Sequence, residues 1–205
     1  MDAVVALTTA RSPGQLVSIG LRSGERLLLS TRRLAALRLA AGDELDDRRL
    51  AELRAAAAEE RTEQRLLRLV ATRARSRAEV RQHLEAWGVE AGTAEALMAR
   101  LEAAGLLDDQ VVAADVSGAL GRRGHGSLRA AHDLDRLGVE PAAAAQAVGD
   151  HAAGDGERAR TLIADRFGPP PYDVAVARRA AAFLVRRGFG EDDVASALGR
   201  DADML

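Results

Sequence analysis

The hydrophobic pattern of the chain changes character after its first thirty or so residues. Along the segment QLVSIGL, apolar side chains alternate with polar ones at Val17, Ile19 and Leu21. This period of two is typical of a half-buried strand, and residues 23–24 (Ser-Gly) can turn the chain before ERLLLS. The pattern therefore predicts a β-hairpin, with residues 3–8 as a third strand. Because an isolated hairpin is marginal in water, we expect it to pack on neighbouring helices.

Two short helices are predicted directly after the hairpin, in STRRLAALRLAAG and DDRRLAELRAAAAEE. Ser30 or Thr31 can cap the first helix, and Gly42 can end it. Asp46 or Asp47 can start the second. Residues 1–60 are therefore interpreted as an N-terminal extension made of a hairpin and short helices.

From about residue 62 onward the apolar positions follow a helical period. Ser76 with Glu79 three residues later forms the signature of a capping box. Val80, Leu84 and Trp87 follow at helical spacing. This helix should end at the glycine that comes next.

That glycine is one of three that recur at intervals of 50 residues. Each follows a leucine by four positions and precedes a branched or aromatic residue, which is the pattern of a Schellman ending with a left-handed glycine. The three sets are Leu84, Gly88 and Val89; Leu134, Gly138 and Val139; and Leu184, Gly188 and Phe189.

The chain restarts a helix after each of these glycines. Thr93 can cap the first restart, Pro141 suits the first turn of the second, and residues 191–193 place acids at the start of the third. A period of this size indicates repeats that bury their apolar faces on one another. We therefore predict a mainly α-helical protein with three tandem three-helix repeats in an elongated curved array. The predicted repeats are residues 61–107, 108–153 and 154–205.

The composition of the chain argues against several classes of protein. Hydrophobic residues make up 47% of the chain but aromatic residues only 2%, which suits closely packed helices. The formal net charge of -2 argues against a strongly basic nucleic-acid domain. Cysteine is absent, the four histidines lack metal-ligand spacing, and no apolar run approaches a membrane span. We expect a soluble, cytoplasmic, monomeric protein without metal or cofactor.

The sequence also lacks the motifs of catalysis. There is no GxSxG, no nucleotide-binding fingerprint and no persuasive pair of carboxylates, so we expect no enzyme activity. The segment GRRGHG, residues 121–126, contains a G-x-x-G like the clamp of a KH domain. It lacks the flanking strands of that domain and the lysine of a Walker A loop, so a helix–helix loop is the better interpretation.

All basic residues are arginines, and they cluster once in each predicted repeat. One interpretation is three basic patches on a single concave face that meet an acidic protein surface or DNA phosphate. The alternative is solvated helix faces paired with nearby acids at i,i+4. The clusters are Arg73, Arg75, Arg77 and Arg81; Arg122, Arg123, Arg129 and Arg136; and Arg178, Arg179, Arg186 and Arg187.

Several blocks, taken in order, resemble the signatures of the RecX family of bacterial recombinase regulators. They are SRAEVRQHLEAWGV, RLEAAGLLDD, RRGHGSLRAAHDLDRLGV and AAFLVRRGFGEDDVASAL. GLLDD and FLxRRGF are the most specific pair, and the resemblance spans nearly the whole chain. One departure lies after GLLDD, where Val112 and Val116 stand in positions that are usually aromatic and Gly118 weakens the helix by about 1 kcal/mol.

The resemblance implies a non-catalytic protein that binds the RecA–DNA filament and contacts single-stranded DNA through it. It also implies a regulator of the SOS response, DNA repair and homologous recombination that inhibits RecA-driven ATP hydrolysis, strand exchange and co-protease function. Given this resemblance, the arginine clusters are interpreted as the RecA- and DNA-binding surface. Two alternatives remain: a sequence-independent DNA-binding protein acting without RecA, and a generic helical-repeat adaptor for another protein.

Overall fold

The computed structural model describes residues 1–9 and 16–199, which divide into two compact units at residues 72 and 73. The first unit contains β1 (Asp2–Thr9), β2 (Leu16–Leu21), β3 (Arg26–Ser30), α1 (Thr31–Leu37), β4 (Glu44–Leu45) and α2 (Asp47–Thr72). The second contains α3 (Arg77–Ala86), α4 (Ala91–Ala103), α5 (Asp109–Arg122), α6 (Ser127–Arg136), α7 (Pro141–Ala152), α8 (Asp155–Phe167), α9 (Val174–Arg186) and α10 (Glu191–Ala197).

The strands of the first unit form one antiparallel sheet in the order β3-β2-β1-β4. The predicted hairpin and third strand are confirmed, and the two-residue strand β4 was not foreseen. The inward face of the sheet buries Ile19 and Leu29 completely, together with Leu45 and with Leu53 of α2. The hairpin is thus stabilised by packing on the following helix, as its marginal stability requires.

The two short helices differ from the prediction. Helix α1 ends at Leu37 with Arg38 in the left-handed conformation, so the expected stop at Gly42 is wrong. Gly42 instead donates its N–H to the Val4 carbonyl, next to the sheet. Asp46 caps the next helix, but this helix continues without a break for 26 residues. The boundary expected after residue 60 therefore lies inside one helix. Buried Glu60 of this helix accepts the Ser30 N–H at 3.0 Å.

The second unit consists of short helices whose ends follow the recurring glycines. Gly88, Gly138 and Gly188 end α3, α6 and α9 with φ angles of 73°, 61° and 82°. In each case the N–H after the glycine donates to the carbonyl of the leucine five residues earlier, over distances of 3.0, 3.2 and 3.3 Å. These are Schellman endings. The three leucines are fully buried, so each helix end is fixed to the core of its repeat.

The helix starts also follow local rules. The capping box of Ser76 and Glu79 is present, and Pro141 occupies the first turn of α7. Thr93 does not cap α4: Glu90 does, and its carboxylate accepts the Thr93 N–H at 3.0 Å. Helix α5 continues through Gly118 to Arg122, so the interior glycine does not interrupt it.

Helices α5 to α7 and α8 to α10 form the second and third repeats, each with its own apolar core. Each joint between successive repeats places a glycine ending against the start of the preceding repeat's second helix. A Cβ on Gly138 would lie 2.6 Å from the Ala78 Cβ, and a Cβ on Gly188 would lie 2.5 Å from the Arg129 nitrogen. A side chain at residue 138 would thus collide with Ala78, and one at residue 188 with the Arg129 backbone, so glycine is needed at both joints.

An aspartate completes each joint. Asp109, the first residue of α5, accepts the Arg77 N–H at 2.8 Å, and Asp155, the first residue of α8, accepts the Ser127 N–H at 2.7 Å. Both donors are the first amides of a helix, which have no partner within the helix. The negative charge of the carboxylate also complements the helix dipole there. Each repeat is therefore tied to the next by a glycine ending and an aspartate.

We expect Gly188→Ala to destabilise the protein much more than Gly88→Ala. Both substitutions put a Cβ on a left-handed residue, which costs about 1–2 kcal/mol. A Cβ at residue 88 meets no atom within 4 Å, whereas one at residue 188 meets the backbone of Arg129. The free energy of unfolding in urea should fall by at least about 2 kcal/mol more for G188A. Equal losses would contradict the close contact at the joint.

Candidate functional site

The first arginine cluster is engaged by glutamates of the same unit. Arg73 and Arg75 pair with Glu79. Arg77 pairs with Glu95 and Glu102, and Arg81 donates to Glu95 at 2.9 Å. Four guanidinium groups thus face three carboxylates. These arginines are paired with acids, as the alternative interpretation expects, but only Arg75 and Glu79 are an i,i+4 pair. Arg77 and Arg81 instead connect α3 to α4.

The pKa values of these glutamates reflect the pairing. Burial opposes ionisation of Glu79, but hydrogen bonds from Arg73 and the Ser76 N–H outweigh it and hold the pKa of Glu79 below its ordinary value. The hydrogen bond from Arg81, with the charge of Arg77, lowers the pKa of Glu95. Both carboxylates therefore stay ionised at neutral pH and neutralise the arginines around them.

The second and third clusters are mostly unpaired. Arg129 forms an i,i+4 ion pair with Asp133 at 3.0 Å. The remaining members, apart from Arg187, are exposed, and no ion pair to them is present within the part of the chain that the structure describes. These residues are Arg122, Arg123, Arg136, Arg178, Arg179 and Arg186.

Arg187 connects the second and third clusters. Its Nη1 donates to the Arg123 carbonyl at 2.9 Å and to the Gly124 carbonyl at 3.1 Å. Its guanidinium carbon lies 4.8 Å from the centre of the Phe183 ring, in cation–π range. Arg187 is thus held against the GRRGHG loop, which the structure shows to be the connection between α5 and α6.

The joint between the second and third repeats also contains a buried polar cluster that the sequence analysis missed. Asp155 is fully buried and pairs with Arg158 and, at 3.7 Å, with His151. His151 in turn lies 2.9 Å from the His125 carbonyl. The only sequence signal was an acid three residues before an arginine. Together, the loop, α8 and Arg187 enclose a groove lined by Arg122, Arg123, Arg158 and Arg187.

Among residues 1–9 and 16–199, no three His, Asp or Glu side chains converge in a way that could hold a metal ion. Over the same residues, none of the helices has the length and apolar character needed to cross a membrane.

The fold and the exposed arginines define the class: an α-helical repeat protein with basic surface on its second and third repeats. Residues 63–101 match the family model for the RecX first three-helix domain. The regulatory protein RecX of Stenotrophomonas maltophilia strain K279a is 35% identical over 126 residues, which are 61% of this chain and 77% of that protein. Its counterpart in Xanthomonas campestris pv. campestris strain B100 is 34% identical over 117 residues, 57% of this chain and 72% of that protein. The chain belongs to the RecX family of regulatory proteins.

Solved structures agree on the fold. A crystal structure of regulatory protein RecX covers 97% of this chain and 99% of its own, with a TM-score of 0.71 at 18% identity. RecX from Lactobacillus salivarius covers 72% of this chain and 97% of its own, with a TM-score of 0.60 at 17% identity. The predicted fold, three-helix repeats preceded in the chain by a small N-terminal sheet, is confirmed.

The paired first cluster generates a prediction about acid stability. The pKa of Glu79 is lowered from its ordinary 4.5, so its contribution is complete above that pH and is lost as the pH falls through the lowered value. Glu79→Gln should cost about 1–2 kcal/mol of unfolding free energy at pH 7. The difference from wild type should shrink below pH 4.5, as urea unfolding across pH would show. A difference independent of pH would contradict the pairing.

Proposed function

We propose that this protein is a non-enzymatic regulator that binds the RecA–DNA filament and inhibits its ATP hydrolysis, strand exchange and co-protease activity. Through these it acts in recombination, DNA repair and the SOS response. The proposal rests on the family assignment. The observation that carries it is the set of exposed, unpaired arginines on the second and third repeats, a surface suited to acidic protein or DNA phosphate.

Repeat architecture has a physical reason to suit this role. Each joint fixes one repeat on the next, so the exposed arginines of the second and third repeats are carried on one scaffold. Contacts that are weak individually then add, because the second contact forms at high effective concentration once the first is made. A filament, which repeats the same surface, is a suitable target for such binding.

The proposed interface leaves out the first cluster. Its four arginines, Arg73, Arg75, Arg77 and Arg81, are already paired with glutamates. Breaking those ion pairs would cost free energy, which would offset the free energy gained by binding a partner. The proposed interface residues are therefore Arg122, Arg123, Arg136, Arg178, Arg179 and Arg186. The proposed repeats remain residues 61–107, 108–153 and 154–205, and the first of them begins within α2.

The test is inhibition of RecA ATPase on single-stranded DNA by the purified protein at ratios up to equimolar. We expect wild type to inhibit and Arg178→Glu with Arg179→Glu to require about tenfold more protein, which corresponds to about 1.4 kcal/mol. Arg81→Gln is the matched control, since Glu95 already neutralises Arg81. It should inhibit within about twofold of wild type.

Two results would contradict the proposal. If the wild-type protein has no effect on RecA over a wide range of ratios, the proposed function is wrong. If the R178E/R179E variant inhibits RecA as well as wild type does, those arginines are not part of the interface. A protein that binds DNA without regard to RecA would instead bind bare single strands with a steep salt dependence and leave the RecA turnover per bound filament unchanged.

A further inference from the structure

The surface between α5 and α7 differs from most of the chain in its small, uncharged side chains. Helix α7 has no charged residue before Asp150, although 29% of the residues in the whole chain are charged. A groove of about 460 Å³ lies between the two helices, within the range of about 300–1,000 Å³ usual for ligand pockets. Ala114 and Gly118 line it from α5, and Ala143 and Ala147 from α7. These small residues leave room for an apolar side chain of a ligand.

The same groove contains a buried hydroxyl group without a partner. Ser117 lines the groove and is only 5% exposed, yet its Oγ has no hydrogen-bond partner among the residues that the structure describes. A buried polar atom that is left unsatisfied costs free energy, which a ligand recovers by forming the missing hydrogen bond. The backbone amide of a peptide can supply either a donor or an acceptor to this hydroxyl.

A second groove continues the first one at the start of α5. It also has a volume of about 460 Å³, and it shares Gln110 and Ala143 with the first. Its lining contains four acids and one arginine, Arg77, and Asp150 adds a fifth acid from the first groove. The four acids are Glu102, Asp108, Asp109 and Glu140. The joined surface, which we call the α5–α7 groove, therefore carries excess negative charge.

Much of this negative charge is held in place by the helix starts. Asp109 accepts the Glu140 N–H at 2.7 Å, and Glu140 in turn accepts the Ala143 N–H at 3.1 Å. Arg77 is already paired with Glu102. Because these carboxylates are ordered before a ligand arrives, little side-chain entropy is lost when they bind a cation.

We propose that the α5–α7 groove binds an extended basic segment of a partner protein. An apolar side chain of the segment would lie over the alanines, its backbone would bond the Ser117 hydroxyl, and its arginine or lysine side chains would pair with the acids. Charge complementarity selects this occupant, since a negative groove attracts basic side chains and repels DNA phosphate. A single small cation is less suited, because it would reach the acids at only one end. The inference goes beyond the proposed function, whose surface is basic, and does not rest on it.

The first experiment uses a fluorescein-labelled hexapeptide in which arginine and leucine alternate. Its binding to the full-length protein is measured by fluorescence anisotropy. The same peptide with glutamate in place of arginine is the charge control. We expect the arginine peptide to bind, with an affinity that falls as salt is added, and the glutamate peptide not to bind. Wild-type protein that binds neither peptide, or both equally, would overturn the inference.

Two glycine substitutions test where the peptide binds. Gly118 lines the groove, whereas Gly149 is an exposed residue of α7 outside the described lining. A Cβ at residue 118 would meet only the exposed side chain of Arg122, and one at residue 149 would meet no atom within 4 Å. Leucine also forms helices better than glycine, so both variants should fold.

We expect Gly118→Leu to fill the groove and to weaken binding of the arginine peptide at least about tenfold. Gly149→Leu should bind it within about twofold of wild type, as an exposed substitution away from the contact does. Equal affinity of the two leucine variants for the peptide would place the binding site elsewhere and overturn the inference.

Two further substitutions test the polar contacts. Ser117→Ala should weaken peptide binding about threefold without lowering the thermal unfolding midpoint, because the free protein loses no hydrogen bond. Asp150→Asn should also weaken it about threefold, whereas Asp165→Asn, the same change at an exposed position of α8, should not. Unchanged affinity in both S117A and D150N would contradict the proposed contacts.

Two other occupants would give distinct results. If arginine amide displaces the labelled peptide at the peptide's own molar concentration, the groove binds a small cation. If wild-type protein sediments as a dimer that Gly118→Leu dissociates, a second copy of the chain occupies the groove. Either result would overturn the inference. Because the readout is peptide binding, its failure would leave the proposed regulation of RecA intact.

Discussion

The second unit depends on one recurring contact: the first amides of a repeat's second helix meet the glycine ending and the leading aspartate of the next repeat. These amides have no partner within their own helix, so an unpaired joint would leave buried donors unsatisfied. Asp109 and Asp155 satisfy them with charge of the sign that the helix dipole favours. At the second joint, Gly126 and Leu128 also donate to the Arg187 and Gly188 carbonyls, both at 3.0 Å.

The same contact creates the candidate site. Because Gly188 lies against α6, the residue before it, Arg187, reaches the α5–α6 loop, and the loop carbonyls hold its guanidinium. Asp155 both accepts the amide that joins the repeats and orders Arg158. The groove is therefore a consequence of the joint, and neither repeat alone contains its residues. Gly188, which allows the close packing at this joint, thus also determines which arginines lie together.

Sequence alone was sufficient wherever the determining interaction is local. A Schellman ending needs a left-handed glycine and an apolar pair five residues apart, and a capping box needs residues three apart, so Gly88 and Ser76 could be interpreted directly. The joint aspartates could not. Asp109 and Asp155 bind amides 32 and 28 residues away, and they are not separated by the 50-residue glycine period. Similarly, nothing in the sequence indicated the tertiary hydrogen bond that joins Glu60, in the middle of α2, to Ser30.

The arginines show why a charge pattern does not define a site. The three clusters look alike in sequence, yet Arg77 and Arg81 meet glutamates from α4, while Arg122 and Arg123 meet none among the described residues. The difference is set by which helix lies opposite each cluster. This is a tertiary contact, and the i,i+4 spacing along a single helix does not reveal it. This uneven pairing of the arginines also explains how a chain with a net charge of -2 can have a basic groove. Over a screening length of about 8 Å at physiological salt, a charged group at the groove responds to the groove's own charge rather than to the sum over the chain.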